Sequence, residues 1–102
     1  MIEFANKLED YRNQLSHLDN NIIELLNQRA LISKEIGILK TNNKIEIYQN
    51  DFWEKSQLIR NKTIEATSLN GAISNQIFYL IHQKSLLIQE DILKQKTVKK
   101  FL

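Results

Sequence analysis

The chain contains no proline, and glycine occurs only at positions 37 and 71. These two residues are the strongest interrupters of regular backbone. A chain of 102 residues with so little of either is expected to fold into a few long helices. Its length allows one small domain and leaves no room for a second.

The first 41 residues carry the clearest pattern. Leu8, Leu15, Ile22 and Ile36 fall on a seven-residue repeat, with Arg29 in the slot between Ile22 and Ile36. Tyr11, Leu18, Leu25, Ile32 and Leu39 form a second series with the same repeat. Steps that alternate between three and four mark one packed helical seam. The pattern predicts a helix over about 4–41, roughly 55 Å long at ~1.5 Å per residue. Gly37 lies inside it, at a cost of about 1 kcal/mol relative to alanine, which a close backbone approach would explain.

Thr41 to Lys44 reads as a loop, and Ile45, Ile47 and Tyr48 as an extended connection. Asn50 or Asp51 is the expected cap of a second helix over 50–67, which carries Phe52, Leu58, Ile59 and Ile64. Ser68 to Gly71 reads as a turn. A third helix is expected over 72–94, striped by Ile73, Ile77, Ile81, Ile88 and Ile92. Residues 95–102, with Lys96, Lys99 and Lys100, read as a solvated basic tail. The expectation is therefore an all-α, three-helix subunit forming one domain over 1–102. Its first helix is too long for a compact monomer of this size, whose radius of gyration is about 13 Å. Two shorter helices cannot cover its whole seam. A second copy can, so an intertwined homodimer is expected.

Composition removes several classes of function. Fourteen Lys and Arg against twelve Asp and Glu leave a formal charge of +2, too weak for a nucleic-acid surface. The absence of cysteine excludes disulfides and thiol chemistry. No apolar run reaches the roughly 20 residues of a membrane span, and the N-terminus lacks a signal-peptide pattern. Cytoplasmic location is the expectation. There is no P-loop and no GxGxxG, and His17 and His82 show no metal-ligand spacing; both read as ordinary interface or surface histidines. No metal or cofactor is called for.

The informative residues are polar groups on the apolar seams. Arg29 occupies a seam position, and a guanidinium there is costly unless an anion meets it. Lys40, eleven residues on, returns to the same face about 16 Å along the axis. Two long side chains reaching inward can hold a small dianion between them. Arg12 lies seventeen residues before Arg29, about 25 Å away, so it reaches that place only from the partner of an antiparallel dimer. On the third helix, Ser85 fills a gap in the stripe, and Gln89 follows one turn later on the same face. The plain alternatives stay open: the arginines pair with acids or snorkel to water, and Ser85 and Gln89 make an ordinary packing hydrogen bond.

Together these residues resemble the all-helical (type II) class of chorismate mutases. The first stretch is Leu8-x-x-Tyr11-Arg12, Leu18-Asp19-x-x-Ile22, Ile23-x-Leu25-Leu26-x-x-Arg29 and Ile36-Gly37-x-x-Lys40. The second is Ile77-Phe78-x-x-Ile81-His82-x-x-Ser85-x-x-x-Gln89. The resemblance covers about residues 4 to 93 and implies an intertwined homodimer with two equivalent sites. It implies the rearrangement of chorismate to prephenate for phenylalanine and tyrosine biosynthesis, without a cofactor. Arg12 of one subunit and Arg29 of the other would bind the two substrate carboxylates. Lys40 would bridge a carboxylate and the ether oxygen, and Gln89 would donate to that oxygen. Ser85 would touch a carboxylate or place the cations. Gln49 would bind the ring hydroxyl where the family commonly has an acid. Ile36, Phe52 and Trp53 are candidate walls of the pocket.

The departures are Phe52, where members usually carry an arginine, and Trp53, where an acid is common. Gln49 and Trp53 together look similar to a branch also found fused to another enzyme of aromatic biosynthesis. The resemblance also admits docking to a shikimate-pathway enzyme. The alternatives on this scaffold are an isochorismate–pyruvate lyase, a 4-amino-4-deoxychorismate mutase or a weakly active paralogue. A non-catalytic helical interaction module is the alternative of a different class.

Overall fold

A computed structural model describes the backbone of residues 1–101 and the side chains of residues 1–97. Three helices follow in order: α1 (Ile2–Asn42), α2 (Asn50–Glu65) and α3 (Gly71–Phe101), with no strand among the described residues. At 41 residues, α1 is about 62 Å long. The chain measures 68 × 32 × 15 Å, and its radius of gyration is 19.1 Å. A compact domain of this length would have a radius near 13 Å.

α1 meets α3 through small residues. Ser33, Gly37 and Thr41, four apart, are the buried positions of α1. Ser33 Oγ lies 2.6 Å from Ser85 Oγ. A Cβ added at Gly37 would sit 3.0 Å from Gln89 Cα, so the missing side chain is what lets the two helices close up. Ser33 pairs with Ser85 and Gly37 with Gln89, a constant offset, so α1 and α3 run side by side in the same direction. α2 runs back along α3, with Trp53 against His82 and Arg60 against Phe78.

Hydrogen bonds close the helix ends. Asn43 Nδ2 donates to Leu39 O at 2.7 Å, and Lys96 of α3 reaches Thr41 O and Asn42 Oδ1 at 3.4 and 3.1 Å, where the carbonyl end of α1 lacks helical donors. Asn70 Oδ1 accepts from Ile73 N at 3.0 Å and caps α3.

Two expectations are corrected. The residue before α2 is Gln49, extended and without a side-chain cap; Asn50 and Asp51 lie inside the first turn, where Asp51 faces the positive helix end. α3 runs on to Phe101, so residues 95–101 are helical and not a frayed tail; the side chains of Lys99 and Lys100, and all of Leu102, lie outside the described residues. The apolar stripe of α2 is mostly open. Phe52, Leu58 and Ile59 are exposed, and Ile64 at 8% exposure is the one buried apolar side chain among the described residues. Two neighbours of such different length leave most faces of a three-helix chain uncovered.

The seam read from the repeat is open over most of its length. Tyr11, Leu18, Leu25, Ile32 and Leu39 are 54, 53, 57, 60 and 63% exposed. Among the described residues, no helix is long and apolar enough to cross a membrane.

Candidate active site

Four hydrogen-bonded side chains define one wall of a cavity between α1 and α3. Lys40 Nζ donates to Gln89 Oε1 at 3.0 Å and to the Ile47 carbonyl at 2.7 Å. Gln89 Nε2 donates to Ser85 Oγ at 3.3 Å. Ser85 Oγ shares its short contact with Ser33. Gln89 is 4% exposed, so its amide cannot turn freely to water. An ammonium group on Oε1 fixes that amide: the oxygen faces Lys40, and the NH2 group faces the serines. An amide NH2 has two N–H bonds and an ammonium three. Each of Gln89 and Lys40 therefore keeps one N–H beyond those bonds.

The cavity has a volume of about 350 Å³, within the roughly 300–1,000 Å³ range of small-molecule sites. α1 supplies Arg29, Ile32, Ser33, Ile36 and Lys40. The connection supplies Ile47 and Gln49, α2 supplies Phe52, and α3 supplies His82, Ser85, Leu86 and Gln89. Helical spacing explains the convergence. Arg29, Ser33, Ile36 and Lys40 follow each other by three or four along α1, as Ser85 and Gln89 do along α3. The hydrogen bond from Lys40 to Ile47 O folds the connection back over the cavity, which carries Gln49 and Phe52 to its edge.

The electrostatics favour an anion. Among the described residues, Arg29 and Lys40 are the charged ones on the wall, and no carboxylate lines the cavity. Burial holds the Lys40 ammonium below the ordinary lysine value. Burial also pushes the His82 imidazole below the ordinary histidine value, followed by the charges of Arg60, Arg29 and Lys40. A neutral imidazole at pH 7 follows. His82 Nε2 has no hydrogen-bond partner among the described residues, and the recorded bonds of Ser33 and Ser85 run to each other and to Gln89. Among the described residues there is no hydroxyl–imidazole pair of the kind that activates a nucleophile. The arrangement is a set of fixed donors on an apolar floor, suited to gripping an anion and to stabilising charge on an oxygen.

Of the residues singled out in the sequence, Arg29, Ile36, Lys40, Gln49, Phe52, Ser85 and Gln89 share this cavity. Arg29 is exposed in the single chain, although its seam position suggested burial. Arg12 is elsewhere on α1, exposed and outside the cavity. Trp53, expected on the wall, stands one layer behind it, stacked on His82. Sequence reasoning missed Ser33 and His82. The signal for Ser33 was its place four residues before Gly37, in a row of small residues. His82 was set aside as an ordinary interface or surface histidine; it is half-buried and lines the cavity.

Fold and site together define an all-helical protein with a cationic pocket among the described residues. The type II chorismate mutase family matches residues 11–90, and the chain belongs to that family. It is 31% identical over 98 residues to a bifunctional chorismate mutase/prephenate dehydratase of Buchnera aphidicola subsp. Baizongia pistaciae (strain Bp). That match covers 94% of this chain and 26% of the relative, so the chain spans about a quarter of the relative's length. No solved structure matches the chain significantly.

Proposed function

We propose that the chain is a chorismate mutase, converting chorismate to prephenate in aromatic amino-acid biosynthesis, and that it works as a cytoplasmic homodimer. The observation that carries this reading is the pairing of Lys40 Nζ with Gln89 Oε1 at 3.0 Å on the wall that also holds Arg29. It occurs in a member of the type II family.

The rearrangement is pericyclic and needs no nucleophile, base or cofactor. The substrate must be held in the chair in which its enolpyruvyl arm lies over the ring. Freezing that geometry is a large part of the barrier, and fixed cations acting on two carboxylates accomplish it. Arg29 takes one carboxylate, and Arg12 of the partner subunit takes the other. As the C–O bond breaks, negative charge grows on the ether oxygen. Lys40 and the free N–H of Gln89 stabilise it, and because the Lys40 contact fixes the amide beforehand, no reorganisation is needed during the reaction. Ser85 holds the Gln89 amide from the other side, and Gln49 meets the ring hydroxyl at the rim. The open α1 seam supports the dimer, since a second α1 covers it and brings the partner's Arg12 toward the pocket.

The test is chorismate consumption by the purified chain, with prephenate, pyruvate and 4-hydroxybenzoate resolved. Prephenate formation is the expected result. Turnover of isochorismate or the amino analogue without turnover of chorismate would replace the substrate assignment, and inactivity on all three would end the catalytic reading.

A further inference from the structure

α2 and α3 are joined by a stack that ends at the cavity. The Arg60 guanidinium lies between two rings, with Cζ 4.8 Å from the Trp53 centroid and 4.9 Å from that of Phe78. Trp53 then stacks on the His82 imidazole, with centroids 4.4 Å apart and planes at 27°. Tyr79 meets Trp53 edge-on at 6.4 Å. His82 lines the cavity beside Ser85, and Arg60 and Trp53 do not. The order is Phe78, Arg60, Trp53, His82, cavity.

Arg60 is an expensive choice for this half-buried position of the stack. Its Nε and Nη2 are buried and have no hydrogen-bond partner among the described residues. A partly desolvated guanidinium with unused donors costs stability, and the faces of two rings offset only part of that. A leucine or methionine would fill the same place without the penalty. A residue that breaks a packing rule two layers behind a site is best explained by what it does for the site.

We propose that Arg60 is a positioning residue: clamped between Phe78 and Trp53, it fixes Trp53 and, through it, the imidazole of His82 as the wall on which the bound ligand rests. A guanidinium is flat and holds a ring on each face, which an alkyl chain does not. The imidazole it holds presents a flat, uncharged surface. Burial together with Arg60 from α2 and Arg29 and Lys40 from α1 keeps that surface uncharged. The positive charge on the wall is thereby confined to Arg29 and Lys40, where the carboxylates of the ligand dock. That last step rests on the mutase reading; the stack itself does not.

The first experiment uses no ligand. His82 is titrated by NMR in the wild type, in Arg60→Met, which keeps bulk and loses charge, and in Arg60→Lys, which keeps charge and loses the flat fork. The His82 midpoint is expected to rise in Arg60→Met and stay low in Arg60→Lys. Its ring-current shift from Trp53 should weaken in both. An unchanged midpoint and unchanged shifts in Arg60→Met would overturn the proposal. Should Arg60→Met not fold, a ring-current shift in Arg60→Lys equal to that of the wild type would do the same. The second experiment uses chorismate. Arg60→Met should raise KM about tenfold through misplacement of the wall. In a His82→Ala background it should add nothing, because the effect runs through the imidazole. Losses that add in the double variant would sink the proposal. A wild type inactive on chorismate would remove the mutase reading while the NMR result still decides the stack.

Discussion

Gln89 is the residue whose chemistry is most sharply defined. Its oxygen is held by Lys40 at 3.0 Å, and its nitrogen by Ser85 at 3.3 Å. A neutral amide does not titrate, so this donor should not shape the pH profile of the native protein. Gln89→Glu turns the donor into an acceptor whenever the carboxyl group is ionised, and places that charge against the Lys40 ammonium. Protonation restores an O–H donor. The variant should therefore be nearly inactive at neutral pH, by roughly 10²–10³ in kcat, and should recover as the pH falls through the carboxylate range. A flat profile between acidic and neutral pH would remove Gln89 from the reaction. Lys40 sets the opposite limb. Burial lowers its pKa, so its charge, and the activity that needs it, should be lost at a lower pH than for an ordinary lysine. The alkaline arm of a kcat profile measures this.

At the scale of the element, α1 has two faces built on different rules. One is the row Ser33, Gly37 and Thr41, which meets α3. Gly37→Ala places a Cβ 3.0 Å from Gln89 Cα, a backbone atom that cannot swing aside. Overpacking of this kind costs about 1–3 kcal/mol, while alanine returns about 1 kcal/mol of helix propensity. The net loss of stability should be small, on the order of 1 kcal/mol, read from the denaturant midpoint. Gln89 would shift with its backbone, so kcat should fall by tenfold or more. Unchanged kcat would show that the close approach does not position the amide. The other face is the leucine–isoleucine seam, and it was the legible one, because a seven-residue repeat of large apolar groups is what periodicity detects. The repeat located α1 but not its partner within the chain, since close approach of two helices uses small residues that leave no hydrophobic signal. The same difference divides the site. Arg29, Lys40, Ser85 and Gln89 stood out as polar residues breaking apolar stripes. Ser33 matched its small neighbours, and His82 acquires its place only through the stack on Trp53, which joins two helices and leaves no mark in local spacing.

The whole molecule is an open frame. α1 exposes Tyr11, Leu18, Leu25, Ile32 and Leu39 by more than half, and Arg12 is about 25 Å from Arg29 along the same helix. In the proposed dimer each site takes Arg29 from one chain and Arg12 from the other. Arg12→Ala and Arg29→Ala should each be inactive and still folded. Mixed after unfolding and refolding together, they form dimers with one intact site, so that roughly a quarter of wild-type activity returns by random pairing. No recovery would mean that both arginines serve the same chain, and an active single variant would mean that its arginine is idle. The near absence of an enclosed core, with Ile64 the one apolar side chain buried among the described residues, has a consequence beyond catalysis. In the proposed dimer, folding of such a chain would be a bimolecular event, governed by mass action as much as by sequence. Its melting temperature should climb with protein concentration, and its refolding rate should scale with the square of concentration. Specific activity should collapse below a threshold dilution. A cell that lowers the amount of this polypeptide would lower the fraction that is folded as well, so that abundance itself would act as the switch.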